Sequence, residues 1–526
     1  MQREFNRLKT ENFDLLVCGG GIYGAWTAYD AALRGLKVAI VEKNDWASAT
    51  SSASSKLIHG GLRYLETLDF KLVKKSLIER GMLLKTAPHR VWPLRFGVPV
   101  YENSRLGAIR LKIGLALYDL LAGNIPTDET HRHFSKADFC KRFPYLTQTK
   151  LKSGFTYLDA QTDDARFVLE LIDGALLAGA VCINYCQVTE LIEQNNRICA
   201  AKVLDKLSQE IITVEAKQLV DTTGRWSQDF QHQKPGFRLS KGIHLIMPNV
   251  LKTDALLLTA KSDGRVFFMI PWYGLTLLGT TDSNYNGDID QVPITAEEIH
   301  YLLTEANLVL GNVYWTEQDI IGKFSGIRVL AESTKDNPTS ISRDWLMVTA
   351  PNGLISSLGG KLTSAREDAA LLVDAVCKQL GSTTYCQTFG KAFPWFSGID
   401  YQSLTDTILS HVNHLGIDKD SANWLVKRFG DRASQVLQLC QQQPELAKRI
   451  KPELPFIMAE LSFCAEHEMV IHLTDLLRRR IPLLILTTLS RQEISDFANM
   501  VAPILSWDAS RTEYEINTCL QHPLQP

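Results

Sequence analysis

Long apolar runs and clustered cysteines are scarce in this sequence. No stretch of about 18 residues is both apolar and uncharged, so no segment has the character of a membrane-spanning helix. Residues 1–11 are polar and mixed in charge, which is not the pattern of a secretory signal. The 10 cysteines are scattered without a Cys-x-x-Cys pair. This distribution predicts free thiols in a reducing compartment and no metal site.

Positive charge is not in excess either. Lys and Arg number 56 against 58 Asp and Glu, which leaves a formal net charge of −2. The chain as a whole therefore has no field that would attract nucleic acid or anionic lipid. We expect no nucleic-acid partner, and contact with an anionic surface would have to come from a local patch.

Three common catalytic motifs are absent or wrongly spaced. The chain has no Gly-x-Ser-x-Gly hydrolase elbow. His467 and His472 are five residues apart, whereas a zinc protease needs a spacing of four. Gly353 and Gly360 are separated too widely for a phosphate-binding loop of the P-loop type, and Lys361 is followed by Leu. These observations exclude the corresponding hydrolases.

A strand, a glycine turn, a helix and a second strand follow one another near the N-terminus. The apolar run 13–18 leads into Gly19-x-Gly21-x-x-Gly24, and the strand at 37–42 ends in Glu42. Such a turn lets a backbone approach a pyrophosphate at a helix N-terminus. Glu42 stands 18 residues after the last glycine, where it can accept hydrogen bonds from ribose hydroxyls. This unit predicts dinucleotide binding.

The segment 50–64 is rich in hydroxyls and glycine, which favours a site loop over a core helix. His59, Arg63 and Tyr64 bring an imidazole, a cation and a phenol together. From the residues alone, Arg63 is as consistent with a surface charge as with a site. Asp163 and Asp164 open an apolar helix, and we interpret them as helix-capping residues.

The rest of the chain divides into strand-rich and helix-rich parts. A small sheet is expected from the strands 180–185, 187–192, 197–204, 211–215 and 218–222. The segment 241–282 is again strand-rich, and glycines and hydroxyls at 356–363 precede a helix over 365–380, as at an anion site. After residue 400 glycine is sparse, and helical segments are predicted at 404–412, 421–429, 433–439, 457–464 and 473–480.

Together these motifs resemble the aerobic, quinone-linked family of FAD-dependent glycerol-3-phosphate dehydrogenases. The segment 50–64, Thr-Ser-Ser-Ala-Ser-Ser-Lys-Leu-Ile-His-Gly-Gly-Leu-Arg-Tyr, is its long and specific signature. The resemblance extends from about residue 13 to about residue 480. Supporting matches lie at 161–166, 279–282, 325–328, 342–344, 359–363 and 459–479.

The resemblance implies an α/β fold with three parts. A Rossmann-like FAD-binding domain, of the glutathione-reductase or amino-acid-oxidase type, is expected at 10–90, 150–235 and 346–385. A substrate domain built on an antiparallel sheet is expected at 91–149 and 236–345. A C-terminal α-helical domain is expected at 398–520.

The resemblance also implies an activity. Glycerol 3-phosphate would be oxidised to dihydroxyacetone phosphate, with hydride passing to FAD and electrons then passing to ubiquinone or menaquinone. His59 is the candidate base for the carbinol proton, and His244 is a second candidate or a binder of the substrate hydroxyl. A dianionic substrate calls for several cations. The expected catalytic residues are His59, His244 and Arg328, and the expected substrate-binding residues are Arg63, Tyr64, Arg343 and Lys361.

Most of the expected cofactor contacts belong to the glycine turn, the hydroxyl-rich segment and the second glycine pair. The residues expected to contact FAD are Gly19, Gly21, Ile22, Tyr23, Gly24, Glu42, Thr50, Ser51, Ser54, Leu57, His59, Gly60, Val188, Gly224, Trp226, Gly360, Lys361, Leu362 and Thr363.

Several neighbours of these residues differ from the usual family pattern. The altered positions are Asp221, Arg225, Ile243, Val329, Trp345 and Ala365. They leave two alternatives open. One is another FAD-dependent oxidase of the same fold, acting on an amine or hydroxy acid with oxygen as acceptor. The other is a flavoprotein without catalytic activity.

A quinone acceptor implies a location. We expect a cytoplasmic protein attached peripherally to the inner face of the cytoplasmic membrane through anionic lipid. The segment 105–121 is the candidate contact, because Arg110 and Lys112 accompany several Leu and Ile residues there. A helix buried between domains is the alternative interpretation. The choice between a monomer and a homodimer stays open.

Overall fold

The computed structural model describes residues 1–66, 68–123, 126–230, 237–331, 345–398 and 400–522. The strands in this part of the chain are β1 Phe13–Cys18, β2 Val38–Val41, β3 Leu57–Ile58, β4 Val91–Tyr101, β5 Arg132–Ser135, β6 Leu151–Thr162, β7 Val181–Ile183, β8 Cys186–Gln194, β9 Arg197–Asp205, β10 Ile211–Asp221, β11 Phe237–Met247, β12 Ala255–Thr259, β13 Val266–Trp272, β14 Leu275–Gly279, β15 Ser283–Asn284, β16 Gly322–Ala331, β17 Trp345–Thr349 and β18 Ile355–Gly359.

The helices are α1 Phe5–Thr10, α2 Ile22–Leu33, α3 Phe70–Thr86, α4 Ala108–Ala122, α5 Lys136–Arg142, α6 Asp164–Leu177, α7 Ala296–Asn307, α8 Ala365–Leu380, α9 Tyr401–Val412, α10 Lys419–Phe429, α11 Ala433–Gln442, α12 Met458–His467, α13 Leu473–Asp475, α14 Leu483–Leu486, α15 Arg491–Leu505 and α16 Ala509–Leu520.

The first sheet is mainly parallel and has the order β17-β18-β10-β1-β2-β7. Its inner strands are apolar runs buried on both faces, as parallel strands usually are. Helices α2, α6 and α8 pack on one face. The other face is covered by the small antiparallel sheet of β8, β9 and β10.

One strand joins these two sheets. The sequence predicted two strands, at 211–215 and 218–222, but the structure has the single strand β10, Ile211–Asp221. Its first half pairs with β9 and its second half pairs with β1 and β18. The polar residues in the middle of β10 lie where the strand passes from one sheet to the other. In the sequence they have the pattern of a turn, which is why two strands were predicted.

The second sheet is mainly antiparallel, with the order β15-β11-β14-β13-β12-β4-β6-β3. Strand β16 pairs with β11, and β5 pairs with β6. The apolar residues of one face form a core with α5 and α7. On the other face they form a larger core with α4 and the helices after residue 400.

Four of the helical segments predicted after residue 400 agree with α9, α10, α11 and α12, and the fifth is split. Helices α15 and α16 were not among the predicted segments. The stretch predicted as a helix over 473–480 consists of the short helix α13 followed by a wider turn at Leu476–Arg480. At this wider turn Arg479 and Arg480 pair with Asp45, which follows β2, and Arg478 donates to the Ser52 carbonyl. Among the described residues, no helix combines the length and apolar character needed to cross a bilayer.

Candidate functional site

A cavity of about 830 Å³ opens where the two large sheets meet. Its wall includes the residues that follow the carboxyl ends of β1, β2, β10 and β18, which is where ligands bind in open parallel sheets. The opposite wall comes from strands of the second sheet. The cavity is therefore shared between the predicted nucleotide-binding and substrate-binding parts.

The glycine turn has the shape that a pyrophosphate needs. Gly19 has φ +107°, which L-residues rarely adopt, and Gly21 is the N-cap of α2. A Cβ on Gly24 would overlap the carbonyl oxygen of Gly19. The amide of Ile22 donates to Ser51 Oγ at 2.9 Å, which ties the turn to the hydroxyl-rich segment. The backbone at the N-terminus of α2 is thus open to a phosphate.

Glu42 lies in the wall at the end of β2. Its carboxylate accepts the amide of Gly20 at 2.7 Å and the amide of Asn44 at 2.9 Å. Burial raises the pKa of Glu42, and these two hydrogen bonds act against that shift. Each carboxylate oxygen keeps acceptor capacity for a ribose hydroxyl.

Trp226 and Val188 also line the cavity. The Trp226 indole donates to Asp290 at 2.9 Å, while Lys43 lies 3.8 Å from the centre of its ring. Arg225, one of the altered positions, stacks on the ring at 4.2 Å and also lines the cavity. Burial lowers the pKa of Arg225.

The hydroxyl-rich segment and the second glycine pair form the middle of the wall. Thr50 Oγ1 donates to the carbonyl of Ile327 at 2.6 Å, and the His59 amide donates to Thr363 Oγ1 at 3.1 Å. Gly360 has φ +88°, and a Cβ there would overlap the hydroxyl of Tyr23. Because Gly360 has no side chain, the backbone at this point can approach a ligand closely.

Three cationic side chains line the cavity, those of Arg63, Arg328 and Lys361. Arg328 Nη2 donates to Thr280 Oγ1 at 2.9 Å, and Arg328 Nη1 lies 3.4 Å from the Asp282 carboxylate. Lys361 Nζ lies 3.6 Å from the centre of the Tyr64 ring. These cations are suited to a small anion.

His244 on β11 is a buried imidazole in the cavity wall. Its Nε2 lies 2.9 Å from Ser55 Oγ, and its ring stacks on Phe324 at 4.9 Å. Burial lowers the pKa of His244 well below its ordinary value, and the charges of Arg328 and Lys56 lower it further. The imidazole is neutral near neutral pH, and a neutral imidazole can accept a proton.

The cavity wall contains all but three of the residues predicted for the site. Gly24 and Gly60 act through packing instead, because a Cβ on Gly60 would overlap Leu77 and Tyr118. Arg343 lies outside the described residues. The role of each residue stays a prediction.

Sequence reasoning missed the partners that hold these residues in place. Asp163 caps α6 by accepting the Arg166 amide, as predicted, whereas Asp164 forms a buried ion pair with Lys56 at 2.5 Å. The hydroxyl of Ser55 next to His244 was also missed. Lys56 belongs to the 50–64 signature. A charged residue inside a segment expected to form a site was the sequence signal that could have indicated a buried ion pair.

Comparison with known proteins gives the class first. Residues 14–366 match the family described as FAD dependent oxidoreductase, and residues 393–512 match the C-terminal domain of alpha-glycerophosphate oxidase. The first match covers more than half of the chain, and it includes the cavity walls. The protein is therefore an FAD-dependent oxidoreductase.

Whole-length relatives narrow the class. A Synechocystis glycerol-3-phosphate dehydrogenase is 38% identical over 92% of this chain and 91% of its own length. A Staphylococcus aureus aerobic glycerol-3-phosphate dehydrogenase is 33% identical over 90% and 87%. The FAD-complexed structure of glycerol-3-phosphate dehydrogenase from Bacillus halodurans superposes with a TM-score of 0.80 at 27% identity, covering 98% and 96%. The chain belongs to the FAD-dependent glycerol-3-phosphate dehydrogenase family.

The predicted family, fold class and cofactor are thereby confirmed. The residues present fit FAD, because the open backbone at Gly21, the acceptor Glu42 and the close approach at Gly360 are the features that a flavin dinucleotide requires. Contact of Glu42 with the adenosine ribose, and of the hydroxyl-rich segment with phosphate and flavin, stays a prediction.

Proposed function

We propose that this chain oxidises sn-glycerol 3-phosphate to dihydroxyacetone phosphate and that the electrons pass on to a membrane quinone. The observation that carries the proposal is that Arg63, Arg328 and Lys361 line the same cavity as His244, and that Arg328 is close enough to lower the pKa of His244. A phosphate dianion needs several cations, and a carbinol needs a neutral base. Few other substrates of flavin enzymes need both.

The cations bind and orient the phosphate. Arg328 presents a planar fork whose direction is fixed by Thr280 and Asp282. Lys361 stacks on Tyr64 and supplies a compact charge close to the cofactor region. Arg343, which was also predicted to bind the phosphate, lies outside the described residues. Phosphate bound here would hold the carbinol carbon at a fixed distance from the cofactor.

His244 takes the hydroxyl proton as the C2 hydrogen leaves as hydride. Bound FAD supplies the two-electron acceptor for that hydride. Because Arg328 contributes to the low pKa of His244, a phosphate docked on Arg328 would offset this charge and strengthen the base only when substrate is present. His59 lines the same cavity and is the alternative base.

An apolar part of the cavity supports an apolar electron acceptor. Phe96, Tyr157, Leu257 and Phe268, from strands of the second sheet, line it together. Aromatic walls of this kind suit a planar quinone ring better than they suit a sugar phosphate. Oxygen is the other acceptor to consider, and the experiment below distinguishes the two.

Helix α4 supports the membrane part of the proposal. Its residues Leu111 and Leu115 are buried, whereas Ile109 is 78% exposed, Ile113 64% and Leu120 75%. The three exposed residues follow one another at helical spacing. Arg110 and Lys112, both exposed, flank this face. The inner face agrees with a helix buried between domains, and the outer face has the apolar and cationic residues that would suit an anionic bilayer surface.

The deciding experiment is anaerobic reduction of the purified flavoprotein. Glycerol 3-phosphate should bleach the oxidised flavin absorbance, and glycerol at the same concentration should not, because glycerol has no phosphate for the cations to hold. Reoxidation by a short-chain quinone should then be faster than reoxidation by oxygen. Reduction by an amino acid or hydroxy acid, but not by glycerol 3-phosphate, would contradict the proposal.

A further inference from the structure

Lys56 is a buried lysine in the hydroxyl-rich segment, and the proposed reaction gives it no role. It is 1% exposed and has φ +60°, a backbone conformation that costs a non-glycine residue energy. Its Nζ donates to the Ser52 carbonyl at 2.8 Å and pairs with Asp164 at 2.5 Å. Such a strained and buried charge persists only when its surroundings hold it firmly.

Asp164 holds the other end of the same turn. Its Oδ2 accepts both the amide of Ser54 at 3.0 Å and the hydroxyl of Ser54 at 2.7 Å. The amide of Lys56 donates to that same hydroxyl at 3.0 Å. The ion pair therefore closes a turn over residues 52–56, and Ser55 is carried on the turn.

We propose that the Lys56–Asp164 ion pair is the positioning element for the base, holding the Ser55 hydroxyl against Nε2 of His244 and controlling when that imidazole takes a proton. The proposal rests on the role of His244 in the proposed function. Neither Lys56 nor Asp164 lines the cavity, so each acts through Ser55, through the electric field, or through both.

The charged groups around His244 determine how the electric field at its imidazole shifts the pKa. Lys56 Nζ and the His244 ring lie against the same Phe324 ring, at 5.1 and 4.9 Å from its centre. The charged groups nearby are Lys56 with Asp164 from the turn and α6, Arg328 from β16 with Asp282 after β14, and Arg478 from the turn after α13, which also lies over Phe324. Burial first, then Arg328 and Lys56, lower the pKa of His244.

Opposite substitutions should shift the pH dependence in opposite directions. In Lys56→Met a positive charge is lost, so the pKa of His244 rises and the acid limb of anaerobic flavin reduction moves up by about one pH unit. In Asp164→Asn the lysine is no longer balanced, so the limb moves to lower pH. Lys56→Arg keeps the charge and should leave the limb near its parental position.

Lys241→Met is the matched control. Lys241, on β11, is buried like Lys56 and forms an ion pair with Glu298 at 2.8 Å. It does not line the cavity, and it is not among the causes of the pKa shift of His244. Loss of this pair should lower stability without moving the acid limb. FAD affinity, measured by fluorescence titration for every variant, reports damage to the turn independently of turnover.

The outcomes separate the two proposals. His244→Gln should slow flavin reduction at every pH, and if it does not, the proposed base is wrong. If His244→Gln is slow but Lys56→Met leaves the acid limb in place, the positioning role of the ion pair is overturned and the base stands. If Lys56→Met does not retain FAD, Asp164→Asn carries the test with the opposite sign, and an upward or absent shift overturns the inference.

Discussion

Arg328 shows how the fold prepares a single side chain for an anion. Its guanidinium lies over Gly242, where a Cβ would overlap Nη2. Thr280 and Asp282 hold its two nitrogens from the side. The orientation of the fork is therefore fixed before a ligand arrives, which reduces the entropy lost on binding.

Replacing Arg328 with alanine should weaken substrate binding far more than FAD binding. A buried phosphate that loses a charged partner loses about 2–5 kcal/mol. Stopped-flow reduction over a range of glycerol 3-phosphate concentrations gives the substrate constant, and fluorescence titration gives the FAD constant. Arg142→Ala, which removes a guanidinium paired with Asp254 outside the cavity, is the control. Equal weakening of both ligands would contradict the assignment of Arg328 to the phosphate.

Residues of the site that belong to continuous motifs could be predicted, and their distant partners could not. Gly19, Gly21 and Glu42 follow from the spacing of one β-α-β unit. Ser55 meets His244 across 189 positions of sequence, because strand β11 of the second sheet packs against the loop before β3. No periodicity or spacing encodes such a contact, since it depends on how two sheets are packed.

At the scale of elements, the glycine turn depends on a residue that does not line the cavity. Gly24 brings α2 against the end of β1, and its substitution by alanine would force the Gly19 carbonyl out of place. We expect Gly24→Ala to bind FAD much more weakly while the chain stays folded. Equilibrium dialysis of FAD, with circular dichroism as the check on folding, measures this.

Gly81→Ala provides the comparison for that variant. Gly81 lies inside α3, and a Cβ there meets nothing within 4 Å. Alanine is the better helix former by about 1 kcal/mol, so this substitution should stabilise the protein slightly and leave FAD binding unchanged. If Gly24→Ala bound FAD as well as Gly81→Ala does, the packing argument would be wrong.

The outer face of α4 makes a second prediction at this scale. Replacing Arg110 and Lys112 with Glu should abolish flotation with anionic, quinone-containing liposomes at low salt, because like charges then face each other. Replacing Ile109 and Ile113 with Ser should weaken flotation at any salt concentration, since apolar burial is not screened. Lys141→Glu on the exposed side of α5 is the charge control. Parental protein that stays at the bottom of the gradient would contradict membrane attachment.

At the scale of the whole molecule, the part of the chain after residue 400 packs behind residues of the cavity wall without lining the cavity itself. No described residue beyond Thr363 lines it. Arg479 and Arg480 nevertheless pair with buried Asp45, and the neighbouring Trp46 packs against Gly20 of the glycine turn. The helical periodicity of this region up to residue 480 was readable in the sequence. The surface that these helices cover could not be predicted. In a sequence, an arginine between apolar residues has the same pattern whether its side chain faces water or a buried carboxylate.

Two buried carboxylates lie at or near the contact between these helices and α6. Glu468 receives two hydrogen bonds from Arg166, and Glu170 receives one from Arg90 at 2.9 Å. Arg90 also donates to the carbonyl of Arg428 in α10. Burial alone would raise the pKa of each carboxyl. Arg166 outweighs this effect and lowers the pKa of Glu468 to about 2, and His89 with Arg90 lowers the pKa of Glu170 to about 2.

These depressed pKa values predict a steep loss of stability in acid. The ordinary glutamate value is 4.5, so the stabilisation by Glu468 and Glu170 is complete above pH 4.5 and is lost as pH falls toward about 2. Denaturant unfolding at several pH values measures the slope. Glu468→Gln should lose about 3–5 kcal/mol at neutral pH, because Arg166 is left unpaired, and its acid slope should be flatter. The exposed Glu466→Gln is the control and should leave the slope unchanged. A Glu468→Gln variant with the parental slope would show that this interface does not set the acid limit, because the protons bound on unfolding would then be taken up by other carboxylates.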